Sequence, residues 1–518
     1  MRRFRSGSAM AFVLALMMCA GTAAARDIDE RLWIKMESEN FSVYSSVNRR
    51  KTRDFLVHLE TLRSVFVNYL GYGVNLNEKP TMILVVGRQS DYRDLGLSMD
   101  TVGRFSSNLR NNIIIIRNAA RMDETQVILH EYIHFLVRAT DRFPFPLWWD
   151  EGYAEFASAT RLTDSTFDMG LPLVPRVNTL NGSTWIPWEE VIAATSYGDF
   201  DRYRRSTFYA QAWLLVHFLQ TRGSGIPLDE SWIEYARQLS MGANQVEAFT
   251  AAFGLSIDEL ERQLDQYAGA GRLQYWRLPR EALGVEVETV VDGVRPREIQ
   301  VQLGRFALAN GDEAAARNWF EKAIAGRSKD PAAFSGRATA LAELGYLEEA
   351  RSGFEQAREM DPANVLTLVD YARFEIENFA RDDAPLAADE YLDAAEVLLT
   401  EARTLSGGSV EIDTYLAYVW LSRDAASVPA MQLLESVVER SPSDLWPALM
   451  LAETLNRNGR TEDALDLARA VIRYDHGLSG YSERARELVR SIQAERIRNR
   501  PDPPPSTEQE SPAVEEGD

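Results

Sequence analysis

The chain contains 518 residues, enough for two or three domains, and its 45% hydrophobic content is sufficient to bury sizeable cores. The formal net charge is -21. An acidic balance of this size argues against nucleic acid and anionic membrane surfaces as general partners, whereas it does not restrict the fold.

Residues 1–25 have the pattern of a secretory signal peptide. Three arginines within the first five residues precede an apolar run at 10–20, and three alanines at 23–25 form a small-residue cleavage site. The apolar run is too short to span a bilayer, and no later segment approaches transmembrane length. We therefore expect an exported protein without a transmembrane segment, and the predicted compartment is the bacterial periplasm.

Cys19 is the only cysteine, and it lies inside this signal segment. Acylation of a bacterial lipoprotein requires a small residue just before the cysteine, whereas methionines occupy positions 17 and 18, so a lipid anchor is not predicted. Once the segment is removed, the chain has no cysteine, which excludes disulfides and a cysteine nucleophile.

The first folded region is predicted over residues 27–285. Alternating residues at 41–45 predict a half-buried strand, helical spacing follows over 49–70, and buried strands are predicted at 81–86 and 112–117. This order predicts a small mixed sheet packed on helices, an arrangement of the α+β class.

The last of these strands contains the four consecutive isoleucines Ile113, Ile114, Ile115 and Ile116. If it lies at the sheet edge, its free backbone groups would bind an extended peptide substrate as an added strand. The alternative is an interior strand with both edges paired, which an uninterrupted apolar run also favours.

A helix predicted over residues 124–138 contains two histidines with metal-ligand spacing. His130 and His134 lie one turn apart on the same face, and Glu131 beside the first histidine is placed to act as a base. Zinc binds neutral imidazole readily, and a catalytic site needs a third protein ligand and one position for water. The alternative is a pair of satisfied core histidines.

The third ligand is expected on a second helix, since residues 142–147 contain two prolines and predict a turn. That helix starts near Trp149 and would bring Glu151 to the two imidazoles. Glu155, one turn later, is predicted to accept a hydrogen bond from the far ring nitrogen of His130 and so fix its orientation. The alternative for Glu155 is an ordinary exposed carboxylate.

The two motifs, His-Glu-x-x-His at 130–134 and Glu-Gly-x-Ala-Glu at 151–155, resemble those of the gluzincin metallopeptidases, most closely the peptidase MA-like family. The resemblance covers residues 80–270. It implies one zinc ion on His130, His134 and Glu151, with Glu131 as the general base that takes a proton from the attacking water.

Two features depart from the better-known gluzincins. Sixteen residues separate His134 from Glu151, fewer than in aminopeptidase N or thermolysin, so the linking turn is shorter. The aminopeptidase signature Gly-x-Met-Glu-Asn is missing before the metal helix, where Arg110, Asn111 and Asn112 stand. An endopeptidase or a specialised amide hydrolase is therefore expected rather than an aminopeptidase.

An apolar helix predicted over residues 206–219 resembles the gluzincin helix that carries the oxyanion tyrosine, and Tyr209 falls at the matching place. A core tyrosine is the alternative. His217, two turns further on, is interpreted as a packed core residue. Arg204 and Arg205 could bind a substrate carboxylate, although such a pair is more often solvated.

The second region, residues 297–496, repeats a triplet of small and apolar residues about every thirty-four residues. A period of this length is the signature of tetratricopeptide repeats, which are stacked helix pairs. About five repeats are expected, capped by a polar helix at 482–496. The triplets are Ala316, Phe320 and Ala323; Ala350, Phe354 and Ala357; Ala395, Leu399 and Ala402; Ala430, Leu434 and Val437; and Ala464, Ala468 and Val471.

Two segments are predicted to lie outside the folded regions. Residues 286–296, within a Pro- and Gly-containing stretch that starts at 278, are interpreted as a linker. Residues 497–518 are rich in Pro, Glu and Ser and are interpreted as a disordered tail.

Together these patterns predict an exported zinc-dependent peptidase with a tetratricopeptide solenoid that binds substrates or a partner protein on its concave face. Two other functions stay open. One is a scaffold or adaptor whose peptidase-like domain is catalytically silent, and the other is a cell-wall peptide amide hydrolase. Glu131 argues against the first, because a purely structural zinc site needs no base.

Overall fold

The computed structural model describes residues 27–70, 79–97, 103–117, 122–140, 145–221, 228–241, 243–285, 287–379, 388–475 and 480–498. The predicted signal peptide, almost all of the predicted tail, and residues 142–144 of the predicted turn lie outside the described residues.

Among the described residues, nine strands form two sheets, all in the first region except β9, which follows it. They are β1 Trp33–Glu37, β2 Phe41–Ser45, β3 Thr81–Val86, β4 Gly103–Ser107, β5 Asn112–Arg117, β6 Thr160–Leu162, β7 Thr166–Met169, β8 Trp276–Pro279 and β9 Val290–Val294. The large sheet has the order β4-β5-β3-β2-β1-β9, and the small one the order β6-β7-β8. Strands β2, β3 and β5 run parallel, and the remaining pairs are antiparallel.

The strand of four isoleucines is interior, so the prediction of a peptide-binding edge at Ile113, Ile114, Ile115 and Ile116 is wrong. Strand β5 pairs with β3 on one side and with β4 on the other, and both ladders use its backbone groups. The edge on this side of the sheet is β4, and β9 forms the other edge. The β4 sequence Gly-Arg-Phe-Ser-Ser is short and polar, as is common for edge strands, and gave no strand signal.

Ten helices accompany the sheets in the described part of the first region. They are α1 Arg49–Ser64, α2 Gln89–Asp94, α3 Met122–Thr140, α4 Leu147–Ser158, α5 Val174–Gly182, α6 Trp188–Ala193, α7 Arg202–Gln220, α8 Leu228–Ser240, α9 Gln245–Phe253 and α10 Ile257–Gly269. A π-helical turn, Val65–Tyr69, prolongs α1 over the rest of its predicted length.

Eleven more helices form the second region as far as its residues are described. They are α11 Pro296–Ala309, α12 Glu313–Ala325, α13 Pro331–Glu343, α14 Leu347–Met360, α15 Val365–Phe379, α16 Ala388–Ser406, α17 Val410–Arg423, α18 Val428–Arg440, α19 Leu445–Arg457, α20 Thr461–Asp475 and α21 Tyr481–Arg498. The first ten make five consecutive pairs, and α21 packs on the last pair as a cap. Within the described residues, none of the protein's helices has both the length and the apolar character needed to cross a membrane.

The repeated triplets lie on the second helix of each pair, and all fifteen side chains are at most 1% exposed. The first helices of the first four pairs contact one another in succession. The repeat period therefore marks the positions at which each pair buries its apolar residues against its neighbours.

Both faces of the large sheet are covered. Helices α1 and α3 pack on one face, where Val43, Ile83 and Ile114 are buried. The other face, which includes Ile113 and Ile115, packs against α2 and against α11, the first helix of the solenoid. The solenoid is therefore attached to the sheet through a hydrophobic core and not merely through the chain that connects them.

The predicted linker is part of this attachment. Residues 290–294 form β9, which pairs with β1 along its whole length, and α11 begins at Pro296, so little chain separates sheet and solenoid. The interpretation of residues 286–296 as a linker is therefore wrong. The Val-Val-Asp-Gly-Val sequence of this edge strand is half-exposed, and its Gly and Asp resemble a turn.

Three ion pairs, made by two basic residues, also join the large sheet and its β4–β5 turn to the first helices of later repeats. Arg110, in the turn between β4 and β5, lies 2.6 Å from Asp370 of α15 and 2.7 Å from Glu411 of α17. Lys79, just before β3, lies 2.6 Å from Asp444 at the start of α19. The first helices of the solenoid pairs are therefore in contact with the protein's own β4–β5 hairpin.

The Arg110 contacts predict a specific loss of stability. The carboxylates of Asp370 and Glu411 are less than one tenth exposed, so Arg110→Ala leaves two buried charges without their cation. We expect the free energy of unfolding to fall by about 3 kcal/mol, measured by chemical denaturation. Arg110→Lys should lose less unfolding free energy, because lysine keeps the positive charge although it cannot form both directed hydrogen bonds.

Arg50→Ala is the matched control, since its ion pair with Asp54 is exposed and 3.8 Å long. Equal effects of the Arg50 and Arg110 substitutions would show that the hairpin contacts contribute nothing to stability.

Candidate metal centre

Helices α3 and α4 supply the three predicted ligands. Within α3, His130 and His134 are one turn apart, and Glu151 is the fifth residue of α4. Pro146 precedes α4 in extended conformation and turns the chain so that the two helices pack together. The two imidazoles and the carboxylate consequently face one another between the helices.

The three ligand atoms form a compact triangle. The Nε2 atoms of His130 and His134 are 3.1 Å apart, and Oε2 of Glu151 lies 3.3 Å from the first and 3.6 Å from the second. A tetrahedral zinc ion with ligand bonds of about 2.1 Å holds its ligand atoms about 3.4 Å apart. The donor set and its spacing therefore fit a zinc ion. Among the described residues, no other group of three His, Cys, Asp or Glu side chains converges in this way.

The charges around His134 also favour a cation. Burial alone would lower the pKa of His134, but the carboxylates of Asp150 and Glu151 outweigh burial and raise this pKa to about 10. Burial likewise acts to raise the pKa of Glu151, yet the two histidines hold it well below its usual range. The same carboxylates that attract a proton to the imidazole would attract a metal ion in its place.

Asp150, which sequence reasoning missed, orients one ligand. Its Oδ1 lies 3.0 Å from Nδ1 of His134, so the ring nitrogen that faces away from the ligand triangle is hydrogen-bonded to a carboxylate. Such a bond fixes the tautomer and the ring orientation of a metal ligand. The sequence signal for this role was the position of Asp150 directly before the ligand Glu151. Two neighbouring residues of a helix can contact the two ring nitrogens of one imidazole, here that of His134.

Glu155 lies near His130 as predicted, but the expected hydrogen bond is not formed. Its Oε1 is 3.6 Å from Nδ1 of His130, too long for a hydrogen bond. Arg176, from the start of α5, forms an ion pair with the same oxygen. Glu155 is 4% exposed, so it is not the ordinary surface carboxylate of the alternative interpretation.

Tyr209 of α7 lies beside these groups. Burial and the charges of Glu151, Glu131 and Glu155 raise its pKa above the usual value, so its hydroxyl stays protonated and can donate a hydrogen bond. The guanidinium carbon of Arg176 lies 5.3 Å from the centre of its ring. Arg176 therefore connects Glu155 with Tyr209, and the sequence gave no signal for this role.

Gly152 sets the distance between α4 and α7. A Cβ atom at this position would lie 2.3 Å from the backbone oxygen of Ala212 and 2.7 Å from Cγ2 of Val216. Only glycine allows the two helices to approach this closely. The glycine of the Glu-Gly-x-Ala-Glu motif thereby keeps Tyr209 near the ligands.

The other sequence candidates lie away from the ligand triangle. His217 is fully buried, with Nε2 3.0 Å from the oxygen of Gly170 and Nδ1 2.8 Å from the Tyr267 hydroxyl, which places it in the core. Arg204 pairs with Glu190 on a partly exposed surface.

A cleft of about 940 Å³ opens beside the site. Glu131 and His134 line one side of it together with the edge strand β4. This strand contacts α3 closely, because a Cβ atom at Gly103 would lie 2.1 Å from Cδ1 of Ile128. The first helices of all five solenoid pairs contribute most of the remaining lining residues. The solenoid and the candidate metal centre therefore share one cavity.

Comparison with known proteins bears on the second region. The tetratricopeptide repeat family model matches residues 331–356 and 445–470, which cover most of α13–α14 and α19–α20. The second region contains tetratricopeptide repeats. This result confirms the prediction made from the repeat period, and it assigns a protein-interaction type of module to the chain. The matched residues lie outside the first region, so the candidate metal centre is supported only by the identity and spacing of its side chains.

Solved structures with similar folds include a thermophilic tetratricopeptide protein of Thermus thermophilus. It is 16% identical, with 39% of this chain and 99% of that chain covered at a TM-score of 0.31. PilF of Pseudomonas aeruginosa is 20% identical, with coverage of 40% and 93% and a TM-score of 0.30. YrrB, a tetratricopeptide protein with an unusual peptide-binding site, is 15% identical, with coverage of 37% and 90% and a TM-score of 0.28. None of the curated proteins matches the chain significantly.

The close helix contact predicts the effect of Gly152→Ala. Because a Cβ atom would collide with α7, we expect the helices to separate at a cost of about 1–3 kcal/mol in unfolding free energy. Zinc affinity should fall in the same variant, measured by competition with a chelator. Gly182→Ala, at a helical position with open space, is the control and should cost nothing. Unchanged stability of Gly152→Ala would contradict the contact.

The contact between Asp150 and His134 predicts an effect on zinc affinity. Asp150→Asn should weaken zinc binding about 10- to 100-fold, because His134 loses the carboxylate that orients it. Glu155→Gln should change affinity less, since Glu155 is engaged by Arg176 and is not bonded to His130. Affinity is measured by chelator competition, with circular dichroism to check folding. A larger effect at Glu155 than at Asp150 would reverse this assignment.

Proposed function

We propose that the chain is an exported zinc-dependent peptidase of the gluzincin type. The observation that supports this most directly is the triangle of His130, His134 and Glu151, whose ligand atoms have the spacing of a tetrahedral metal site. Glu131 adds a base that a structural zinc site would not need. A bound zinc ion would supply Lewis-acid activation of a water molecule, which brings the pKa of that water towards about 7.

The chain's own residues have distinct tasks in this proposal. Glu131 accepts the proton of the attacking water and passes it to the leaving amine. Tyr209 donates a hydrogen bond to the carbonyl oxygen as negative charge develops there, because its raised pKa keeps the hydroxyl protonated. Asp150 holds His134 in position, and Arg176 holds Glu155 and packs on the ring of Tyr209.

The edge strand β4 is the proposed binding site for the substrate backbone, in place of the interior isoleucine strand. It borders the same cleft as Glu131 and His134, and Phe105 packs 6.2 Å from Phe135 of the metal helix. An edge strand carries a row of backbone donors and acceptors that an extended peptide can pair with.

A second candidate function is a tetratricopeptide scaffold whose peptidase-like region is catalytically silent. It is favoured by the family-model match, which falls on the repeats. The two proposals differ in one measurable respect. A scaffold would bind partner proteins, with or without zinc, and would not hydrolyse peptides. A peptidase must hydrolyse them catalytically.

Glu131→Gln separates the proposals. We expect this variant to keep its zinc and to lose at least about 1,000-fold in the rate of peptide hydrolysis, because the amide cannot take the proton. Zinc content is measured by metal analysis, and hydrolysis with unfolded proteins and purified cell-wall peptides. Substitution of the exposed Glu189, Glu189→Gln, is the control and should leave zinc content and hydrolysis rate unchanged. Zinc binding without any hydrolysis by the wild-type chain would favour the scaffold, and cleavage of wall peptides alone would favour an amide hydrolase.

A further inference from the structure

Three side chains, on the first helices of three successive solenoid pairs, form a continuous row. They are Arg373 of α15, Tyr415 of α17 and Trp446 of α19. The guanidinium carbon of Arg373 lies 5.8 Å from the centre of the Tyr415 ring, and the rings of Tyr415 and Trp446 are 5.5 Å apart. We call these residues the aromatic row.

The aromatic row lies on the cleft of the candidate metal centre. Each of its members lines the cleft that also contains Glu131 and His134. The Nε atom of Arg373 is buried and has no hydrogen-bond partner within the described residues, whereas its Nη2 atom lies 3.4 Å from Oε1 of Glu377. Tyr, Trp and Arg are the residues most often found to dominate binding at interfaces, since they combine large apolar surfaces with polar ends.

The dimensions of the cleft select the kind of occupant. Its volume of about 940 Å³ is at the upper end of the range for small-ligand pockets and is far too small for a folded domain. The ion pairs of Arg110 and Lys79 join the two walls and restrict their separation. A few residues of extended chain would fit, whereas a globular partner would not.

We propose that the aromatic row is the specificity subsite of the cleft and binds a large apolar or aromatic side chain of an extended polypeptide. This inference rests on the proposed function, because it makes the occupant a substrate that lies between β4 and the solenoid. The concave side of the solenoid then selects substrates for the site in its own chain.

Peptide binding tests the aromatic row. The probe is a fluorescein-labelled unstructured Gly/Ser peptide with one central Phe, compared with a twin that has Ala there, and the protein is the full zinc-loaded chain with Glu131→Gln. Fluorescence anisotropy should show the Phe peptide bound at least about tenfold more tightly. Adding Trp446→Ala or Tyr415→Ala should abolish that difference. Tyr346→Ala, an exposed tyrosine outside the cleft, should preserve it.

Trp446→Phe keeps most of the ring volume and should retain part of the preference, which guards against a variant that fails to fold. Equal binding of the two peptides by the unmodified row, or an unchanged preference in folded Trp446→Ala, overturns the inference. A chain that binds no zinc but keeps a preference that depends on Trp446 would refute the peptidase proposal and support the peptide subsite. A chain that hydrolyses peptides but shows no such dependence would refute the subsite alone.

Discussion

The parallel centre of the large sheet must be shielded from water on both faces, and this constraint determines how the two regions fit together. Strands β2, β3 and β5 are parallel, and such strands are stable only when helices cover both sides. The first region supplies α1 and α3 for one face, but for the other it contributes little beyond the short helix α2. Ile299, Leu303 and Phe306 of the first solenoid helix complete that layer. The first helix of the solenoid, α11, thus also belongs to the hydrophobic core of the sheet. Its packing on the sheet sets the direction in which the solenoid begins.

The candidate metal centre depends on that core in a second way. Every residue of α4 is buried, including the carboxylates of Asp150, Glu151 and Glu155. Buried carboxylates are costly unless positive charge is close, and here the ring nitrogens of two imidazoles and the guanidinium of Arg176 are their neighbours. A helix this acidic at its buried surface is consistent with a site that requires a metal ion. The close contact at Gly152 then keeps the hydroxyl of Tyr209 within the same set of charges.

Local patterns predicted what local geometry determines, and long-range contacts account for the remainder. The pair His130 and His134 follows from helical spacing alone, and the triplet spacing marked each repeat because every pair buries equivalent residues. The partner of Arg110 could not be read from the sequence, since Asp370 and Glu411 are 260 and 301 residues away. Strands β4 and β9 were missed because edge strands need no apolar alternation. Glu155 was predicted because it lies one helical turn from Glu151, whereas Asp150, which orients His134, lies directly beside Glu151 and was missed.

The ion pairs between hairpin and solenoid are better explained by orientation than by stability. Apolar residues of similar volume often stabilise an interface as much as a buried ion pair does, because desolvation offsets most of the electrostatic attraction. An apolar contact tolerates sliding, whereas Arg110 has directed bonds to carboxylates on two different helices. A shift of the solenoid by one helical turn would break both bonds and leave three charges poorly solvated. The cleft between β4 and the first helices of the pairs therefore has a fixed width and register, and a cavity with these properties can distinguish one extended chain from another by its side chains.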